Sequence, residues 1–220
     1  MTDPVCSRRS HPTDALLIIG LVGRAGSGKS TVARLLEARG AHVLDADRLG
    51  HEITDTDPEV RAALVSEYGE GVYRGDGHLD RAQVATRVFS DYAALQRLNH
   101  LVHPRILSRL HHQLLQLSQR HEPTVVVVDA ALLLDWGFDA ACDEVLAVTA
   151  PEAQQLTRLV SSRGWTPEQA QARLANQQPH AYFERAADEV LVNDGGEAQL
   201  REATDAALAR MLARRRSPRV

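Results

Sequence analysis

Leu16 to Val22 is a continuous apolar run that stops at glycine. The eight residues that follow read Gly23-Arg-Ala-Gly-Ser-Gly28-Lys29-Ser30, and an amphipathic stretch begins directly after them. An unbroken apolar run of this length fits a parallel strand buried on both faces. Ser30 to Arg39 has helical spacing, with Val32, Leu35 and Leu36 on one stripe and Gly40 as a stop, and His42 to Asp45 reads as a second short strand. Strand, glycine loop, helix and strand within about 30 residues form a βαβ unit, which commits the chain to a parallel sheet with right-handed crossovers.

The remaining pattern extends that commitment. Thr124 to Asp129 holds four consecutive valines, Glu144 to Thr149 reads as a further buried strand, and Glu189 to Val192 is a last short one. Helical patterns lie at 151–163, at 167–177 behind the capping box Thr166-Pro-Glu-Gln169, and at 197–216. Asp57-Pro58-Glu59 marks another helix start, residues 69–81 a glycine-rich turn region, and 91–103 and 104–120 two helices divided at Pro104. The expected fold is a P-loop NTPase-type three-layer αβα parallel sheet, with an inserted helical acceptor-binding subdomain and a lid. The core takes residues 15–56, 121–157 and 187–216, the insertion 57–120 and the lid 158–186, flanked by an extension at 1–14 and a tail at 217–220.

Gly23 to Ser30 matches G-x-x-x-x-G-K-[ST] between a buried strand and a helix, where a phosphate-binding loop must lie. Gly26, Ser27 and Gly28 let backbone amides turn inward around phosphate oxygens. The helix start at Ser30 and Thr31 adds its dipole, Lys29 reaches the β- and γ-phosphates, and Ser30 ligates Mg²⁺. Of the 25 basic residues only Lys29 is lysine; the other 24 are arginine. A slim ammonium fits inside a ring of amides where a forked guanidinium is too wide. With no second lysine, the Asn-Lys-x-Asp element that reads guanine cannot be built, which leaves adenine, as ATP, the expected base.

Strand two runs into Asp45-Ala46-Asp47. If the backbone stays extended, both carboxylates project to one side, with Asp47 as the acceptor base and Asp45 toward the Mg²⁺ water shell; a cap-and-turn pair is the equal alternative. Asp129 fits a Walker-B position holding Mg²⁺, or a strand-terminal turn. Arg158, Arg163 and Arg173 suit a lid over the γ-phosphate, or a solvated helix face.

A net charge of −4 gives no sequence-wide reason for nucleic acid or an anionic membrane as partner. Two cysteines, Cys6 and Cys142, lie outside any CxxC or Cys/His cluster, which points to a reducing compartment. The Leu16 run follows Arg8 and Arg9 but ends at Gly23-Arg24 without a cleavage site. No stretch approaches the ~18 apolar residues a membrane span needs, so the expected location is the cytoplasm.

From about Ile18 to Ala213 the chain resembles the dephospho-CoA kinase family. GLVGRAGSGKSTVA is similar to its phosphate loop, VLDADRLGHEI to its acceptor-site segment, and GHLDRAQVATRVF and LNHLVHPRI to stretches of its helical insertion. VVVVDAALLLDWG and ADEVLVNDG resemble its third-strand and base-side segments. The resemblance implies phosphorylation of the ribose 3′-hydroxyl of dephospho-CoA by ATP with Mg²⁺, in a monomer or small homo-oligomer. It makes Asp47 the acceptor base, places Arg81, His103 and Arg105 on the acceptor side, and sets Arg158 and Asn193 on the ATP side. His103 also reads as a core histidine beside a proline break. A related small-molecule kinase and a nucleotide-dependent switch are the alternatives. Two departures stand out. Gly23-Arg24-Ala25 replaces the common Gly-Gly-Ile, with Arg24 in a tolerant part of the loop, and Ala131 to Asp135 replaces a proline-led segment ending in Glu, which bears on the loop under the acceptor.

Overall fold

The computed structural model describes residues 16–120 and 124–216. The expected extension at 1–14 and tail at 217–220 lie outside the described residues. The strands β1 (Leu16–Val22), β2 (His42–Asp45), β3 (Thr124–Asp129), β4 (Glu144–Thr149) and β5 (Glu189–Val192) form one sheet in the order β2-β3-β1-β4-β5. β1 pairs in parallel with β3 and β4, and β4 in parallel with β5. All seven β1 residues are buried, as the unbroken apolar run requires of a central strand. Leu17, Ile19 and Leu21 pack with Val32, Leu35 and Leu36 of α1 (Lys29–Glu37) and with Leu200 and Met211 of α9 (Glu197–Arg216). Gly20 on the other face lies beneath Leu133 and Cys142, where a methyl group would meet Cys142 Sγ at 3.0 Å.

The amino ends of the strands are closed by charge. Asp143 and Asp188 precede β4 and β5, and their carboxylates accept the N–H groups of Ile18 and Val145, both at 2.8 Å. Arg214 pairs with Glu144 at 2.9 Å and Glu189 at 2.7 Å, while Arg210 reaches Glu189 at 2.8 Å. Hydrogen bonds from Arg210, outweighing burial, hold the Glu189 carboxyl below the usual range.

The chain divides into two compact units, Asp45–Gln113 and the rest. The smaller contains α2 (Ala46–Thr56), α3 (Pro58–Tyr68), α4 (Arg81–Ser90) and most of α5 (Tyr92–Ser118). Asp57 caps α3 by accepting from Glu59 and Val60, with Pro58 at the first turn. Between α3 and α4 a single bridge joins Tyr73 to Leu79. Asp55 anchors this turn by accepting from the Leu79 N–H, His78 and Arg81, each at 2.9 Å. Burial pushes its carboxyl up, but these bonds outweigh burial and bring it down to about 2.

Two expectations are corrected here. Residues 91–120 do not form two helices: α5 continues through Pro104. The ring removes the amide that would meet the His100 carbonyl, yet buried Val102, Ile106 and Leu110 keep one apolar stripe running, and Arg105 Nη1 reaches the neighbouring Leu101 carbonyl at 2.8 Å. Nor does the chain stay extended through Asp45-Ala46-Asp47. Asp45 Oδ1 accepts the Arg48 N–H at 2.9 Å, which makes it the N-cap of a helix that starts at Ala46.

After β4 come α6 (Glu152–Arg163), α7 (Pro167–Ala175) and α8 (His180–Ala186). Both halves of the expected Thr166–Gln169 capping box are present, whereas α8 answers to no pattern read from the sequence.

Candidate active site

The loop from Gly23 leaves the carboxyl end of β1 and enters α1 at Lys29. The first amides of a helix have no intrahelical acceptor, so the backbone at Lys29 and Ser30 presents donors at the positive end of the α1 dipole. Two glycines are required by space as well as by backbone. Gly26, at φ 74°, lies on the α6 backbone, where a methyl group would come within 2.7 Å of the Gln155 carbonyl; Gly28, at φ 100°, lies under the Asn193 amide. Lys29 Nζ donates to Asp129 Oδ1 at the end of β3, and both side chains are largely buried.

Arg158 and Asn193 close a ring around this loop. Arg158 Nη1 donates to the carbonyls of Gly26 at 3.3 Å and Ser27 at 3.4 Å, and its Nη2 to the Asn193 carbonyl at 3.1 Å. Asn193 Nδ2 in turn donates to the Ser27 carbonyl at 2.8 Å. Beside the ring opens a cavity of about 350 Å³ lined by Gly28, Thr31, Arg34, Arg158, Asn193, Gly195, Gly196, Glu197 and Leu200. Its position flanking the loop, with guanidinium and amide groups on the wall, suits a planar heterocycle attached to phosphates.

Of the residues singled out from sequence, the sheet unit brings together Gly26, Ser27, Gly28, Lys29, Ser30, Thr31, Asp129, Arg158 and Asn193. Ser30 is exposed at the start of α1, and Arg173 is exposed in the last turn of α7. Arg163 ends α6, and its side chain lies outside those described. Asp45, Asp47, Arg81, His103 and Arg105 belong to the helical unit. There Asp47 is exposed in the first turn of α2 and His103 is half-buried within α5. Arg81 is held by Asp55 and the His51 carbonyl, and Arg105 by Asp57 and Glu59.

Sequence reading placed Gly195 in a base-side segment but missed Arg34 and the Gly196-Glu197 wall of the cavity. It also missed a layer under the loop formed by buried Arg24 and Gln155 with half-buried Gln177 and His180. The unusual arginine at position 24 was visible, but its partners lie more than a hundred residues away and carry no local signature.

A glycine loop wrapped on a helix start, a lysine inside it and a heterocycle-sized cavity beside it at the carboxyl edge of a parallel sheet define a P-loop phosphotransferase. The sequence signature of the dephospho-CoA kinase family matches residues 17–199. The chain belongs to that family, and it is a kinase. It is 38% identical over 185 residues to the dephospho-CoA kinase of Thermobifida fusca, covering 84% of this chain and 91% of that one. It is 33% identical over 214 residues to that of Syntrophus aciditrophicus, covering 97% and 89%. Among solved structures, TT1252 from Thermus thermophilus superimposes with a TM-score of 0.74 at 34% identity, covering 88% of this chain and 97% of that one. No helix among the described residues is long and apolar enough to cross a membrane.

Proposed function

We propose that this kinase transfers the γ-phosphoryl group of ATP to the ribose 3′-hydroxyl of dephospho-CoA, giving coenzyme A and ADP, in the cytoplasm and as a monomer or small homo-oligomer. The family match from 17 to 199 carries this reading, because it spans the phosphate loop, nearly all of the cavity wall and the helical unit alike. In phosphoryl transfer the protein mainly positions groups and neutralises charge. The loop amides and Lys29 take the β- and γ-phosphates, and Lys29 exchanges its carboxylate partner Asp129 for phosphate oxygens as the nucleotide enters. Arg158 and Asn193 seat the adenine beside the loop. Asp47, exposed two residues past β2, takes the proton from the attacking hydroxyl.

Arg81, His103 and Arg105 serve the acceptor side, where their present carboxylate and carbonyl partners keep the guanidinium groups oriented. Residues 57–120 act as the acceptor subdomain. Residues 158–186 act as the lid, with Arg163 and Arg173 brought to the transferring group on closure.

The donors present fit Mg²⁺. Ser30 offers a hydroxyl and Asp129 a carboxylate beside the loop, and no cluster of three or more His, Cys, Asp or Glu among the described residues makes an all-protein cage, which suits an ion held largely by phosphates and water. Mg²⁺ when bound supplies charge neutralisation at the phosphates. Asp45, with Oδ1 committed to the α2 cap, acts only through the outer water shell.

The test is direct: purified protein with ATP, Mg²⁺ and dephospho-CoA yields ADP and coenzyme A in equal amounts by chromatography. No turnover of dephospho-CoA alongside turnover of another small alcohol overturns the assignment.

A further inference from the structure

Three consecutive loop residues are tied from below to the α6–α8 segment. Arg24, only 8% exposed, donates from Nη2 to the Leu174 carbonyl at 2.6 Å and from Nη1 to Glu152 at 3.4 Å. Leu174 sits in the last turn of α7, where its carbonyl accepts the Gln177 N–H at 3.2 Å and lies at the negative end of the dipole, so a cation is well placed as a further donor there. Ala25 is gripped on both backbone groups. Its N–H donates to Gln177 Oε1 at 2.9 Å, and its carbonyl accepts from Gln155 Nε2 at 3.1 Å. Gly26 rests on the Gln155 backbone. With the Gln155 amide nitrogen committed to Ala25, its oxygen accepts from His180 Nε2 at 3.2 Å. Burial, and then the charge of Arg24, keep the His180 pKa below its usual value, so its ring is neutral near pH 7.

This arrangement is costly for stability alone. Arg24 Nε and His180 Nδ1 are both buried without a hydrogen-bond partner. An apolar side chain would fill the space without that penalty; the guanidinium fork is distinguished by joining the loop to two helices at once.

We infer that Arg24 is a positioning residue. It ties the phosphate loop to the foot of α6 and the end of α7, so that the loop amides are positioned for the nucleotide while these contacts serve as the anchor about which the lid closes. The inference rests on the ATP-dependent kinase reading above. Arginine acts here through the backbone of its own loop and through Leu174, and it touches no reacting atom.

Arg24→Met keeps the volume and removes the donors. Its KM for ATP is expected to rise about tenfold, the worth of one charge-assisted hydrogen bond, with kcat reduced less than threefold. Hydrolysis of ATP without acceptor is expected to rise as the segment loosens over the loop. Arg24→Lys, whose single ammonium cannot span both partners, falls between. Gln177→Leu cuts the neighbouring tie and raises KM in the same direction. The double variant costs less than the product of the singles, because both act on one joint.

A Tm loss with KM for ATP and kcat both within twofold of the parent would reduce Arg24 to a structural residue and overturn the inference. Should Arg24→Met fail to fold, Gln177→Leu and Glu152→Gln carry the test, and unchanged ATP affinity in both overturns it. Titration with a fluorescent ATP analogue reads the same loss of affinity without any acceptor, so failure of the dephospho-CoA reaction is distinguishable from failure of this inference.

Discussion

The two edges of the sheet use the same ingredients to opposite ends. At the amino edge, Glu144 and Glu189 are saturated by Arg210 and Arg214, two guanidinium groups for two carboxylates in fork geometry. At the carboxyl edge a lone ammonium, Lys29, meets one carboxylate, Asp129, beside backbone donors that no helix carbonyl can use. The first arrangement leaves nothing for a ligand to gain. The second is a provisional pairing that a polyphosphate can outbid, because it brings more charge and more acceptors than a single aspartate. Ion pairing serves as a staple where both oxygens of each carboxylate are bonded and as a receptor where the count is left short.

That contrast is broken or sharpened by substitution. The largest effect is expected at the carboxyl edge: Lys29→Ala lowers kcat/KM about 10³-fold or more, while thermal unfolding stays close to that of the parent. Steady-state kinetics with a melting curve on one preparation check both halves, and a large Tm loss would mean that the lysine is a staple too. Asp47→Asn lowers kcat about 10²–10⁴-fold with ATP affinity unchanged by nucleotide titration, if Asp47 is the base.

At the amino edge the order inverts. Arg214→Met leaves the buried Glu144 without its guanidinium and costs about 2 kcal/mol, a Tm decrease of roughly 4–8 °C, with kcat unchanged below the transition. Adding Glu144→Gln recovers part of that loss, since the uncompensated charge is gone. Calorimetry and turnover at 25 °C separate the two edges.

The smallest effect concerns pH and the helical unit. The Asp55 carboxyl sits at about 2 against an ordinary 3.8, so its contribution is present above pH 4 and is lost as pH falls toward 2. It amounts to at most about 2 kcal/mol. Denaturant titrations across that window should show stability falling with acid, and Asp55→Asn should flatten this part of the curve.

The elements with a strong local period were legible in the sequence. β1, the loop, α1 and the valine run of β3 follow from residues next to one another in the chain, and α9 spans residues 197–216 as read. What was not legible depended on groups brought from elsewhere, or on a local rule outweighed by another. Pro104 should stop a helix, but the buried stripe of Val102, Ile106 and Leu110 continues past it. Asp45 reads equally as strand end or cap until Arg48 supplies the amide. Arg24 looked like tolerated variation in a loop; only the fold brings Leu174 and Glu152 to it.

The bond from Asn193 to the Ser27 carbonyl joins positions 166 residues apart. In terms of synthesis, the glycine loop leaves the ribosome early, but the groups that close around it arrive with β5. The loop's carbonyl at Ser27 thus gains this partner only after the fifth strand has been made. Loop closure over such a span is slow and is paid late. The finished loop therefore carries a contact from the fifth strand's end, so its final geometry depends on residues from both ends of the chain.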